Sequence, residues 1–120
     1  MTAMDGELKG RASEVETKSR GKRAVKEAGR RLKQAQLASV LLKHASDATR
    51  LHVILILSGG EQNVGQLCEL LGLGQPAVSH HLALMRHGGV ITPRRQGKSN
   101  YYGLAEKGEA LLRVVKTLMG

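Results

Sequence analysis

The chain has almost no aromatic residues from which to build a core. Phe and Trp are absent from its 120 residues, and Tyr occurs only at Tyr101 and Tyr102. The core must therefore consist of Leu, Val, Ile, Ala and Met, which suit packing between helices better than a sandwich of aromatic-rich strands. A chain of this length is long enough for one compact domain and a tail. We therefore predict one mainly helical domain.

Apolar residues recur at helical spacing in five segments. The pattern begins at Leu37, and the second segment is apolar nearly all round, which predicts a buried helix. Pro76 stands in the first turn of the fourth segment, where its missing N–H costs nothing. The predicted helices cover about 37–44, 48–57, 64–71, 75–87 and 105–119.

Two strand-like runs lie between the fourth and fifth helices. Residues 90–94 and 100–104 flank Arg95-Gln96-Gly97-Lys98, a polar turn in which Gly97 accepts positive φ. This pattern predicts a hairpin. The predicted fold is mainly α with a small β-hairpin wing, a winged helix-turn-helix in the order α1-α2-α3-α4-β-β-α5.

The third and fourth helices, joined by a short Gly-containing link, have the layout of a helix-turn-helix. In that motif the second helix enters the major groove of DNA with its N-terminal residues against base edges. Cations on a wing can contact phosphates or a minor groove. The residues predicted to bind DNA are Gln75, Ser79 and His80 on the fourth helix and Arg94, Arg95 and Lys98 on the wing.

A formal net charge of +9 favours a polyanionic partner, nucleic acid before an anionic membrane surface. The first 33 residues hold ten Lys or Arg against five Asp or Glu, so more than half of the excess lies near the N-terminus. Residues 1–30 have few apolar side chains to bury, which predicts a basic, flexible tail. Good helix formers at 24–33 could extend the first helix backwards. Residues 31–120 are the predicted winged-helix DNA-binding and dimerisation domain.

Other classes of protein have little support in the sequence. The sequence has no run of about 18 apolar residues, the length needed to cross a bilayer, and its N-terminus lacks the apolar block of a secretory signal. Cys68 is the only cysteine, in keeping with a reducing cytoplasm. No nucleophile–base pair, Gly-rich phosphate loop or carboxylate pair stands at interpretable spacing. We predict a cytoplasmic protein that is not an enzyme and uses no cofactor.

Three motifs carry a more specific signal. They are Asp47-Ala48-Thr49-Arg50-Leu51, Leu71-Gly72-Leu73-Gly74-Gln75-Pro76-Ala77-Val78-Ser79-His80-His81-Leu82, and Arg94-Arg95-Gln96-Gly97-Lys98 followed by Tyr101-Tyr102. In that order and spacing they resemble the ArsR/SmtB winged-helix repressors, and the resemblance covers about 37–118.

The resemblance implies a homodimer that is built from the first and last helices, binds a pseudo-palindromic operator and releases it when an inducer binds. The apolar face of the last helix agrees with such an interface and favours it over the alternative, ordinary core. The residues assigned to dimerisation are Leu37, Val40, Leu41, Leu111, Leu112, Val115 and Leu118.

The chain departs from the resemblance at the metal sites. Many members sense metals through a cysteine pair at the start of the third helix, and here Asn63 and Gly65 stand at those two positions. Others use His and carboxylates on the last helix, where this chain has no His and only Glu106 and Glu109 as acids. Zinc needs about four N, S or O ligands. We therefore predict no metal site, and the inducer is unknown.

Three functions remain open from the sequence. The leading one is a sequence-specific transcriptional repressor that acts as a homodimer on double-stranded DNA. The alternative is a non-specific architectural or nucleoid protein that grips DNA mainly through its basic tail. The third is an interaction protein that no longer binds DNA, against which Gln75, Ser79, Arg95 and Lys98 argue.

Overall fold

The computed structural model describes residues 14–120, with side chains from residue 20 onward. The described residues form a mainly helical winged helix-turn-helix, as predicted. The contacts divide the chain after Leu37 into two units. In chain order the elements are α1 (Glu14–Ser46), α2 (Ala48–Leu57), β1 (Gln62–Asn63), α3 (Val64–Leu71), α4 (Gln75–His87), β2 (Ile91–Gln96), β3 (Ser99–Leu104) and α5 (Glu106–Met119).

Helix α1 begins at Glu14, much earlier than the predicted start near Leu37. Residues 14–30, predicted to be a flexible tail, are thus helical, whereas residues 1–13 lie outside the described residues. The helix is supported by propensity rather than burial, because side chains 20–40 are exposed except for the half-buried Glu27. Glu27 also pairs along the helix with Arg30 and Arg31. The predicted start near Leu37 was based on the apolar pattern, which begins there. A helix whose side chains are exposed shows no such pattern.

The unit 38–120 is organised around α2. The Asp47 carboxylate caps this helix by accepting a hydrogen bond from the Arg50 N–H at 3.0 Å. Helix α2 is apolar nearly all round, as the sequence indicated, and it contributes three core residues. Helices α3, α4 and α5 and strand β3 contact it. The core consists of Val53, Ile54, Leu57, Leu67, Val78, Leu82, Met85, Val90, Ile91, Leu111 and Leu112.

The wing is a three-stranded antiparallel sheet in the order β1-β3-β2. Strands β2 and β3 pair from Ile91 opposite Leu104 to Gln96 opposite Ser99. They are joined by a two-residue turn in which only Gly97 has positive φ, 61°, as in a type II′ turn. The strand is longer than predicted, because Arg95 and Gln96 belong to β2 rather than to the turn. The two-residue strand β1 was not predicted, since it is too short to show a period.

The apolar residues of α5 divide between core and surface. Leu111, Leu112 and Val115 are 4–6% exposed within this single chain and have almost no surface left for a partner. Their assignment to dimerisation stays a prediction. Leu41 is half-buried against the core. The dimerisation residues with free surface are Leu37, Val40 and Leu118, and the structure adds Leu42, Val114 and Met119 to the exposed apolar set.

Candidate nucleic-acid interface

Helices α3 and α4 form the predicted helix-turn-helix, and both ends of α3 are fixed by local hydrogen bonds. The Asn63 side chain accepts from the Gln66 N–H at 2.8 Å, and the Gln66 side chain accepts from the Asn63 N–H at 2.9 Å. This capping box starts α3. Gly72, at φ 66°, ends the helix in the left-handed conformation that glycine favours. The link is therefore short, with only residues 72–74 between the two helices.

Helix α4 is anchored by its apolar face. Val78, Leu82 and Met85 are buried in the core, and Pro76 occupies the first turn. The opposite face is open, because Gln75, Ser79 and His80 are all exposed. The structure thus brings these three predicted residues together on the first turns of one exposed helix. The neighbouring His81 is half-buried, with its ring centroid 6.0 Å from that of His80.

Arg86 is a further cation on the exposed face of α4 that the sequence analysis missed. It lines a groove together with Ser79, Ala83 and Tyr102, between α4 and the wing. Its position seven residues after Ser79, two helical turns along the same face, was the signal that could have found it. A cation at this position can contact a DNA phosphate.

The wing turn presents two of the three predicted cations. Arg95 and Lys98 are both exposed. Arg95 Nε donates a hydrogen bond to the Gly97 carbonyl at 3.1 Å, which holds the guanidinium beside the turn. These two residues meet the requirement for a phosphate contact, an accessible positive charge on a rigid hairpin.

Arg94 differs from the other two because it already has a partner. Its Nη2 and Nε donate to Glu61 Oε1 at 2.8 and 3.0 Å, and its guanidinium lies 5.7 Å from the centroid of the Tyr101 ring. The hydrogen bonds from Arg94 hold the pKa of Glu61 below its usual range, and those bonds raise the pKa of Arg94. Glu61 was missed by the sequence analysis. It lies 33 residues from Arg94, so no local pattern connects them.

We expect the Glu61→Gln variant to bind all DNA sequences more tightly than the parent chain. The change removes the carboxylate that competes with phosphate for Arg94, so the slope of log K against log salt should steepen by about one unit. The measurement is fluorescence anisotropy on one duplex over a salt series. Glu109→Gln makes the same charge change in the first turn of α5 and is the control. Equal slopes for the two variants would show that Glu61 does not restrain Arg94.

The two positions at which the resemblance implied a cysteine pair lie at the start of α3. Asn63 is the N-cap of α3, and Gly65 lies in the first turn of that helix. Within residues 20–120, no three His, Cys, Asp or Glu side chains are grouped closely enough to hold a metal ion. Across the same residues, no helix has the length and apolar character needed to span a membrane.

The exposed N-terminal half of α4, its short link to α3 and the adjacent cationic hairpin together define a winged-helix DNA-binding protein. Comparison with known proteins identifies a family within this class. Residues 47–92 match the arsR family of bacterial regulatory proteins. The chain belongs to that family of transcription regulators.

Individual relatives support the same assignment. The arsenical resistance operon repressor of Escherichia coli is 46% identical over 66 residues, which span 54% of this chain and 56% of that protein. The biofilm growth-associated repressor of Xylella fastidiosa, strain Temecula1, is 38% identical over 80 residues, 67% of this chain and 70% of that protein. The structure of reduced HlyU from Vibrio cholerae is similar with a TM-score of 0.68 and 31% identity, over 74% of this chain and 95% of that one.

Proposed function

We propose that the chain is a homodimeric repressor that binds a pseudo-palindromic operator through α4 and the wing. The observation that carries the proposal is the division of α4 into a buried apolar face and an exposed polar face at its N-terminal end. A helix held in this way can lie in a major groove without losing its contacts with the core. The relatives described above include two that are named repressors.

The exposed residues fit separate tasks in recognition. The Gln75 amide can form two hydrogen bonds with an adenine edge, and Ser79 or His80 can reach a base or a phosphate. Arg95 and Lys98 carry charge without base specificity, so they would set position and affinity. Arg94 would join them only after exchanging Glu61 for a phosphate.

The apolar surface left open on the unit 38–120 supports a second copy as partner. Leu42 and Val114 are exposed and line one shallow apolar groove between α1 and α5, together with Ala38 and Ala110. Aliphatic side chains at such a groove are stabilised when a symmetric copy covers them. A two-fold dimer would present two α4 helices to half-sites about one helical turn of DNA apart.

The Val114→Glu variant should be a monomer at concentrations where the parent chain is a dimer. Burying a carboxylate beneath a second copy costs more than about 2 kcal/mol, although Lys107 also lines this groove. Sedimentation velocity measures the loss of dimer, and operator affinity should fall with it. Lys116→Gln makes the same change in net charge at another exposed position of α5 and should stay dimeric. A dimeric Val114→Glu variant would contradict the interface.

Sequence-specific binding is tested directly with the protein's own promoter. We expect fluorescence anisotropy to show binding that persists in excess non-specific DNA. Changing Lys22, Arg23 and Lys26 to Gln in the full chain should weaken binding to every sequence evenly and leave the preference intact. If binding shows no preference and is abolished by that triple change, the chain is an architectural DNA-binding protein instead.

The proposal includes a response that does not use the family's cysteine pair. Asn63 is occupied in the capping box of α3, and amide side chains are poor ligands for borderline-soft metals. An inducer of this chain would therefore bind through a different chemistry.

A further inference from the structure

A small cavity, here called the His44 cavity, lies where the last turn of α1, the first turn of α2 and the end of α4 meet. Its volume is ≈ 260 Å³, and four of its lining side chains are basic: Lys43, His44, Arg50 and His87. The rest of the lining is uncharged, with Val40 and Leu84 as apolar walls. A concentration of basic groups beside apolar walls indicates a site for an anion with an apolar part.

Two nitrogen atoms of the cavity are buried without a hydrogen-bond partner in the part of the chain that the structure describes. They are Arg50 Nε and His44 Nδ1. Arg50 meets one carboxylate only loosely, with Nη2 3.8 Å from Asp47 Oδ2, because the other Asp47 oxygen accepts from the Arg50 backbone N–H. His44 is 9% exposed. Arg50 Nε is a donor, and a buried donor without an acceptor is unfavourable, so an acceptor at this site would be stabilising.

We propose that the His44 cavity binds a small organic carboxylate with an apolar body, and that this ligand regulates DNA binding. A carboxylate matches the planar fork of the Arg50 guanidinium, and the apolar body would lie against Val40 and Leu84. Inorganic phosphate has the charge but no apolar body. An uncharged amide has the body but no charge to pair with Arg50.

The cavity touches the end of the helix that is proposed to read DNA. Gly88 follows α4 directly, and a Cβ atom at that position would lie 2.6 Å from His44 Nε2. The imidazole is thus packed against the backbone at the end of α4, in a space that only glycine leaves open. A ligand that draws His44 and Arg50 toward itself must therefore alter the support of α4. The part of the proposal that concerns regulation of DNA binding rests on the proposed function.

Protonation of His44 offers a readout of an anion in the cavity. Burial and then the Arg50 charge lower the pKa of His44 from its usual value. The other charged or titratable groups here are Lys43 and His87 in the lining and Asp47 beside Arg50. A bound carboxylate would counter the Arg50 charge, so the pKa of His44 should rise. NMR of the His44 ring over a pH series with and without ligand measures this shift.

The binding experiment uses the full chain without DNA. Isothermal titration with benzoate and with hexanoate should show saturable binding, whereas benzamide and inorganic phosphate should bind at least tenfold more weakly. Arg50→Lys keeps the charge but loses the fork and should weaken benzoate binding at least tenfold. Arg113→Lys, at an exposed position on α5, is the matched control. The exposed Lys43→Gln variant, which leaves the Arg50 bonds intact, should weaken binding about threefold.

The outcomes separate the site from its role. Failure of both carboxylates to bind, equal binding of benzamide, or an unchanged affinity in both the Arg50 and Lys43 variants would overturn the site, whether or not the chain binds an operator. Benzoate should lower promoter affinity for the parent chain and not for Arg50→Lys. If benzoate binds and promoter affinity stays the same, the regulatory half is overturned. If promoter DNA is not recognised at all, the proposed function is wrong, but the ligand titration still tests whether the His44 cavity binds a carboxylate.

Discussion

Replacing Gly108 with Ala should destabilise the chain by about 2–4 kcal/mol, a large part of the stability of a marginally stable domain. Gly108 is buried in the first turn of α5. A Cβ atom there would lie 2.1 Å from the Val90 carbonyl oxygen and 3.1 Å from Leu104 Cδ2. The Val90 oxygen already accepts the Ala105 N–H at 2.9 Å, so it cannot move away without breaking that bond.

The sign of this prediction is opposite to ordinary helix propensity. Ala in place of Gly normally stabilises a helix interior by about 1 kcal/mol. Gly65→Ala in α3 provides the control, since its Cβ would meet only Asn63 Oδ1 at an ordinary 3.5 Å. Urea denaturation followed by circular dichroism should give a lower midpoint for Gly108→Ala and an unchanged or higher one for Gly65→Ala. A Gly108→Ala variant as stable as the parent would show that α5 packs less closely on Val90 than described.

The second large effect is expected on DNA recognition. Gln75→Ala and Ser79→Ala should each lower the affinity for the operator by about 1–3 kcal/mol per lost base contact, roughly 5-fold to 150-fold. Both side chains are exposed and neither supports the core, so folding should be unaffected. Arg95→Ala should act differently. It should weaken all sequences alike and reduce the salt slope by about one unit, because it removes a charge rather than a base contact.

Competition binding with operator and unrelated duplexes distinguishes these effects. The ratio of the two affinities should fall for the α4 variants and stay constant for Arg95→Ala. Thr117→Ala, on the exposed surface of α5, should change neither. Loss of preference in Arg95→Ala with no loss in either α4 variant would make the wing, rather than α4, the reader of sequence.

The helix-turn-helix and its wing were predictable from the sequence. Val78, Leu82 and Met85 recur at the spacing of one helical face, so the sequence also indicated which side of α4 is buried and that Gln75, Ser79 and His80 stay outside. Gly72 and Gly97 mark a helix end and a turn because positive φ is a local requirement that glycine meets. Contact of these residues with DNA stays a prediction.

Other features depended on distant parts of the chain. Glu61 and Arg94 form an ion pair although they are 33 residues apart in the sequence. His44 lies against Gly88, 44 residues further along the chain, because the end of α1 and the end of α4 come together. The N-terminal part of α1 was predicted only as a possible extension over 24–33, because there is no apolar stripe before Leu37. Leu111, Leu112 and Val115 have the spacing of an interface, yet they are core.

The sequence by itself determined the helices of the helix-turn-helix and the hairpin that follows it, because helix period, caps and turns act over a few neighbouring residues. Tertiary structure alone decided which apolar side chains of α5 face the core, which wing arginine is already paired, and which basic side chains surround the His44 cavity. Each of these depends on what a second element places opposite a residue, and that information is absent from local spacing.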